Sequence, residues 1–244
     1  MSSRKALPDG PARYPAKPPV VGDAEGLASR RMRRILDDLE TLFLADGFMH
    51  LTTDNIARKL RCSKATLYRL ARTRDDIYAK VVHRFLDKVH ADGLQSARAA
   101  SSWSDALVGF LGAGVRGARE VSWAFVRDMR RHPGARRLLM SHQRQRVAEL
   151  ERLIEAGLTR GGYRALHARL VAELLLPMMA KVFEPEFLTS VGLSLAQAYE
   201  EAYRMVEYGL IPQDPARAPA GKRSAHGRKA ASDEGVAREL AKLW

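Results

Sequence analysis

Cysteine is all but missing from this 244-residue chain. With Cys62 alone, no intramolecular disulfide can form, which fits a reducing cytoplasm. Long apolar runs are missing too. The stretch Leu174 to Ala180 is bracketed by Glu173 and Lys181 and contains Pro177, far short of the ~20 residues a membrane span needs. The N-terminal residues are basic but lack the apolar core of a signal peptide. No segment alternates like a strand, which points to an all-α chain. Catalytic motifs are absent as well: there is no glycine-rich phosphate loop and no Gly-x-Ser-x-Gly elbow. None of the seven histidines pairs with cysteine or carboxylate at metal-ligand spacing, and His83 and His90 are too far apart on one helix to share a metal. The expectation is therefore no enzyme, no resident metal or cofactor, and no membrane partner.

What is present is concentrated in residues 52–71. They read as two short helices joined by a tight turn. Thr53 is placed to cap the first and Ser63 the second, each hydroxyl accepting from a free N–H of the first turn. Ile56, Ala57 and Leu60 give one apolar face, Leu67 and Leu70 the other. The second helix displays Lys64, Ala65, Thr66, Tyr68 and Arg69, whose polar members can bond phosphate oxygens or base edges. This is a helix-turn-helix, the unit that sets a short helix in the DNA major groove.

The segment from about residue 29 to 90 resembles the tetracycline-repressor (TetR) family of transcriptional regulators. The matching features are a first helix from Arg30 to Phe48, the paired Thr52 and Thr53, Ile56-Ala57, the turn ending in Ser63, Thr66-Leu67-Tyr68, and Arg74-Asp75-Asp76-Ile77 opening the next helix. Arg61 stands where the family usually has glycine. Leu70 and Ala71 replace a histidine that often reaches the DNA backbone and a core phenylalanine, and Arg74 keeps the charge of the usual lysine. The resemblance implies a TetR-like fold of about nine helices. It has an N-terminal helix-turn-helix DNA-binding domain and a C-terminal helical domain for ligand binding and dimerisation. It also implies repression of an operator, a small-molecule effector, and DNA contacts at Thr53, Ser63, Lys64, Ala65, Thr66, Tyr68, Arg69 and Arg74.

Charge agrees with that reading. Lysine and arginine outnumber acids 41 to 28. Residues 29–74 hold 11 basic against 5 acidic residues, while 75–211 hold 19 against 16. The excess sits in the helix-turn-helix segment, as phosphate neutralisation requires. Cys62 falls at an apolar position of the turn, as a small buried hydrophobe or, less simply, a redox-sensing thiol.

Four parts follow. Residues 1–28 read as a flexible arm, 29–74 as the DNA-binding domain, 75–211 as the effector and dimerisation body, and 212–244 as a mostly disordered basic tail, in which Val236 to Trp244 can form a short amphipathic helix. Within the body, Ser102 and Ser194 open helices with capping-box spacing, and helices are expected over 121–131, 135–160 and 163–183. Trp103, Phe110, Trp123, Phe125, Met129, Met178 and Phe183 are adaptable apolar groups, suited either to plain core or to the wall of a ligand site. Pro177 would bend its helix and help open such a site. The effector is expected to be largely apolar. Arg127, Arg130 and Arg131 lie beside this segment, as a solvated face or as partners for an acidic variant of it. Residues 171–180 are apolar nearly all round, so that helix must be covered on several sides. The resemblance implies that the last two helices pair with their symmetry mates, with Leu170, Leu174, Tyr199 and Val206 near the centre of a two-fold interface. The rival readings are a nucleoid-type DNA-binding protein without effector and, remotely, a helical enzyme.

Overall fold

The structure, a computed structural model, describes residues 22–211 and 233–243. Of the arm expected over 1–28 and the basic tail expected over 212–244, residues 1–21, 212–232 and 244 fall outside the described residues, whereas 22–28 are the start of a helix and 233–242 form another. Eleven helices are present among the rest: α1 (Gly22–Asp46), α2 (Thr53–Lys59), α3 (Lys64–Leu70), α4 (Arg74–Arg98), α5 (Trp103–Glu120), α6 (Trp123–Arg131), α7 (Pro133–Thr159), α8 (Ala168–Val182), α9 (Pro185–Val191), α10 (Leu195–Leu210) and α11 (Asp233–Lys242). None of them is long and apolar enough to cross a membrane. Two exceed the expected nine. The seven-residue α9 is too short to show a helical period, and α11 adds a C-terminal helix.

Helices α1, α2 and α3 form a small head. Leu39, Phe43, Phe48, Ile56 and Leu67 are fully enclosed there, each contributing about 1.5–3 kcal/mol by leaving water. Tyr78 of α4 completes this core. Its hydroxyl donates to the Leu51 carbonyl at 2.6 Å, and burial pushes its pKa up to about 12 even though Arg74 lies over the ring.

The caps are mostly those expected. Ser63 accepts from the Thr66 amide at 3.1 Å, and Thr73 and Asp76 close a reciprocal box at 3.1 Å in both directions. One differs. Thr52, not Thr53, caps α2: its hydroxyl accepts from the Asn55 amide, and the Asn55 side chain accepts from the Thr52 amide. A reciprocal box needs a polar residue three positions on, and only Thr52 has one. Thr53 becomes the first helical residue, half-buried.

The turn between α2 and α3 holds the only non-glycine residue of positive φ among the described residues, Arg61 at 49°. The Cys62 amide donates to Ala57 O (3.0 Å) and the Arg61 amide to Arg58 O (3.2 Å). This crossed pair is the Schellman ending, which places one residue in the left-handed region and favours glycine there.

Helices α4, α5, α7, α8 and α10 build the body. Glycines let α5 approach its neighbours: a Cβ on Gly117 would lie 2.6 Å from Val89, and one on Gly114 would lie 2.7 Å from the Tyr203 hydroxyl. Helix α8 is shorter than the expected 163–183. Tyr163 instead sits in the preceding turn, donating to Trp103 O at 2.6 Å, with its ring where a Cβ on residue 157 would be. Tertiary packing thus overrides an apolar pattern that continues the helical period. At the far end, α11 buries Val236 and Leu240, packs on α4, and pairs Glu239 with Arg160 at 2.8 Å.

Head and body meet along α1, α4 and α6. Glu40 is almost fully buried and takes Lys88 (2.6 Å) and Arg84 (3.2 Å); Arg84 also pairs with Asp37. Asp128 of α6, 3% exposed, accepts from the amides of Phe48 (2.6 Å) and Met49 (2.8 Å) just past the end of α1.

Candidate DNA-facing helix and ligand cavity

Helix α3 turns Leu67 and Leu70 inward, so the opposite face is fixed by the helical period. Lys64, Ala65, Tyr68 and Arg69 form that exposed face, with Ser63 at its start and Thr66 half-buried beside it. Lys64 pairs with Asp54 of α2 at 2.6 Å, and this hydrogen bond raises its pKa. The ion pair lies on the exposed surface, its side chains 54% and 60% exposed. Arg69 forms no ion pair among the described residues. Arg74 is exposed at the start of α4, weakly paired with Asp75 at 3.9 Å. Arg31, Arg33 and Arg34 are exposed on α1. Leu70 is buried, so the position where the resembled family often has a DNA-reaching histidine points into the head. Cys62 is half-buried, and desolvation raises its pKa, which is opposite to the activation of a sensing thiol.

The body holds a partly open cavity of about 70 Å³, enough for several waters or a small ligand. Helix α4 contributes Phe85, Leu86 and Val89; α5 contributes Phe110, Leu111, Gly114 and Gly117; α6 contributes Met129. Helix α7 supplies Leu139, His142, Gln143, Arg146 and Leu150, and the wall closes with Leu175, Met179, Phe183, Tyr199 and Tyr203.

Of the seven residues expected to line it, Phe110, Met129 and Phe183 do so. The other four do not. Trp103 is buried at the start of α5 against Tyr163, with ring centroids 6.5 Å apart. Trp123 is 43% exposed at the start of α6. Phe125 packs edge-on between Phe48 of the head and Phe85. Met178 is half-buried outside the wall, one residue from Met179, which lines it. Pro177 sits on the exposed side of an uninterrupted α8. Arg130 turns away too, donating to Phe183 O at 3.1 Å, and Arg127 lies 3.7 Å from Asp128.

The charged and amide part of the wall comes from α7 and was missed in the sequence. Arg146 is 8% exposed; its guanidinium stacks 4.4 Å from the Phe110 ring centre, and Nη2 donates to Phe110 O at 2.7 Å. Burial, together with Arg146 and His90, drives His142 down to a pKa of about 3, so it is neutral. Burial also lowers the pKa of His90, and the neighbouring Glu149, 3.2 Å from His90, is pushed up.

Of the expected interface residues, Leu170 and Leu174 are 57% and 61% exposed on α8, and Val206 is half-buried. Tyr199 is a correction. It is buried inside the protomer, edge-on to Phe183 and Tyr203, with its pKa raised by burial. Met205 and Tyr208 occupy the exposed face of α10 instead.

No protein-family model and no curated protein matches this sequence. Solved structures do. A proposed transcriptional regulator from Saccharomonospora viridis, in complex with choline, superposes with a TM-score of 0.61 at 18% identity, covering 76% of this chain and 100% of that one. A TetR-family transcriptional regulator from Agrobacterium tumefaciens gives 0.58 at 16% identity, with 76% and 100% covered. The reduced form of E. coli NemR gives 0.58 at 14%, with 75% and 99% covered. The head, the body and their arrangement are thus those of the TetR-type transcriptional regulator fold.

Proposed function

We propose that this chain is a sequence-specific DNA-binding transcriptional regulator, a repressor acting as a homodimer and released from its operator by a small, largely apolar effector. The observation that carries the reading is the exposed face of α3. Lys64, Tyr68 and Arg69 stand together on a helix whose other face is locked into the head by Leu67 and Leu70. Such a face can enter a major groove, with Ser63, Thr66 and Arg74 at its margins and Thr53 at the start of α2. Effector control is supported by the cavity. Its wall includes Met129 of the same helix that holds the head through Asp128. The choline found in the Saccharomonospora viridis protein is in keeping with a small ligand in this fold.

Dimerisation is supported by Leu170, Leu174, Met205 and Tyr208, large apolar groups exposed on two helices that pack together. Two heads would then meet two half-sites one helical turn apart.

Selection from random DNA duplexes tests the reading directly. An enriched inverted repeat, bound far more tightly than bulk DNA at physiological salt, is the expected result. Uniform affinity across sequences would instead favour an effector-independent nucleoid-type protein.

A further inference from the structure

We propose that the body cavity takes an amphipathic organic anion, an apolar molecule ending in a carboxylate, and that Arg146 is the residue that holds its charged end. The inference deepens the effector reading above and rests on it for any role in regulation; the binding itself is independent of DNA.

The cavity carries a built-in cation. Arg146 is buried, yet no carboxylate among the described residues pairs with it, and no Asp or Glu lines the wall. Its Nη1 is buried with no hydrogen-bond partner, and the Tyr203 side chain that lies against the guanidinium is neutral and brings no countercharge. An unpaired buried charge is costly, and an arginine fork is shaped for a two-oxygen anion. The nearby Glu149 is engaged with His90 at 3.2 Å and forms no ion pair with Arg146.

The second orphan points the same way. Gln143 Nε2, on the same inward stripe of α7, is buried with no acceptor. Both unsatisfied polar atoms of the wall are therefore donors. Around them the surface is apolar, from Leu111, Met129, Leu175 and Met179. A ligand matching this wall is an acceptor at one end and hydrocarbon at the other. A cationic ligand is opposed twice. Arg146 repels it, and Arg146 already occupies the Phe110 ring face that an aromatic cage would offer.

The test uses the full-length protein with defined probes: straight-chain carboxylates from butanoate to decanoate and phenylacetate, each beside the primary alcohol and primary amine of the same skeleton. Thermal shift and calorimetry read binding. The parent protein should bind at least one acid about ten-fold or more tightly than its alcohol, and amines should not bind. Arg146→Gln should bring acid and alcohol to similar affinity, while Arg146→Lys should keep part of the preference. If Arg146→Gln fails to fold, the parent comparison and Arg146→Lys decide alone. Equal binding of acid and alcohol, preference for the amine, or no binding by any acid at millimolar concentration would overturn the proposal. Operator binding by the ligand-free protein is measured separately. A protein that prefers acids but shows no sequence-specific DNA binding loses the regulatory reading and keeps this site; the reverse result loses only this site.

Discussion

Asp128 and Met129 are consecutive residues of α6 that serve different parts of the molecule: the Asp128 carboxylate accepts from the Phe48 and Met49 amides of the head, and the Met129 side chain is cavity wall. Between them and the head core stands Phe125, edge-on to both Phe48 and Phe85. One short helix thus touches both the head and the cavity wall.

Removing the tie has a computable cost. Asp128→Ala leaves the buried Phe48 amide unpaired, so urea unfolding should show a loss of roughly 2–3 kcal/mol. Asp128→Asn keeps an acceptor without the charge and should lose less. Wild-type stability in Asp128→Ala would mean the head is held by packing alone.

For the DNA contact, Lys64→Ala/Arg69→Ala should weaken operator binding by roughly 1–3 kcal/mol, with relaxed specificity if Arg69 reads a base. If both residues touch only phosphate, affinity falls evenly across sequences and the salt dependence flattens. Gel-shift titration at two salt concentrations separates the cases, and unchanged affinity would remove α3 from the groove.

Sedimentation at micromolar concentration should find a dimer. Leu174→Asp places a charge on the exposed face of α8 and should yield a folded monomer, because Leu174 is not part of the protomer core. A parent protein that sediments as a monomer would count against two-headed binding.

The Schellman turn predicts a stabilising substitution. Arg61→Gly relieves a left-handed non-glycine conformation and should raise stability by about 1 kcal/mol, read as a higher urea midpoint at constant slope.

Acid should weaken the protein through α7. The folded-state pKa of His142 is about 3, below the ~6.5 of an unfolded histidine, so the unfolded chain binds the proton first. The stability due to neutral His142 is complete above about pH 6.5 and lost as pH falls toward 3, by up to about 1.4 kcal/mol per pH unit. His90 acts in the same direction, and the raised pKa of Glu149 opposes both in the carboxylate range. Melting temperatures at pH 7 and 5.5 should differ less for His142→Asn than for the parent.

The head was legible because its signals are local. Ser63 with the Thr66 amide, and Thr73 with Asp76, are contacts within four residues, and the apolar spacing of α1 and α4 fixes their inner faces. Two details slipped: α1 begins at Gly22 rather than after residue 28, and the cap of α2 is Thr52 rather than Thr53, though Asn55, three positions after Thr52, distinguishes the adjacent threonines. The cavity was less legible because lining is a long-range property. Phe125 and Met129 lie one turn apart on α6, yet the first meets the head and the second the cavity. Residue type could not separate them, nor Trp103 from Phe110. Tyr199 misled for a related reason: α10 has apolar groups on two faces, and only packing shows which stays inside. Arg146, however, was within reach. Leu139, Gln143, Arg146, Leu150 and Leu153 follow the helical period, so two polar residues fall on the inward stripe of α7.

Helix α4 joins both sites in one rigid rod, with Arg74 at the head and Val89 at the cavity. Their separation along the axis is about 22 Å at the usual rise per residue. A tilt of ~5° pivoting at the cavity would carry the head end by about 2 Å, as much as separates a made hydrogen bond from a broken one. Leverage of this kind would let a ligand with only a few contacts act on DNA it never approaches.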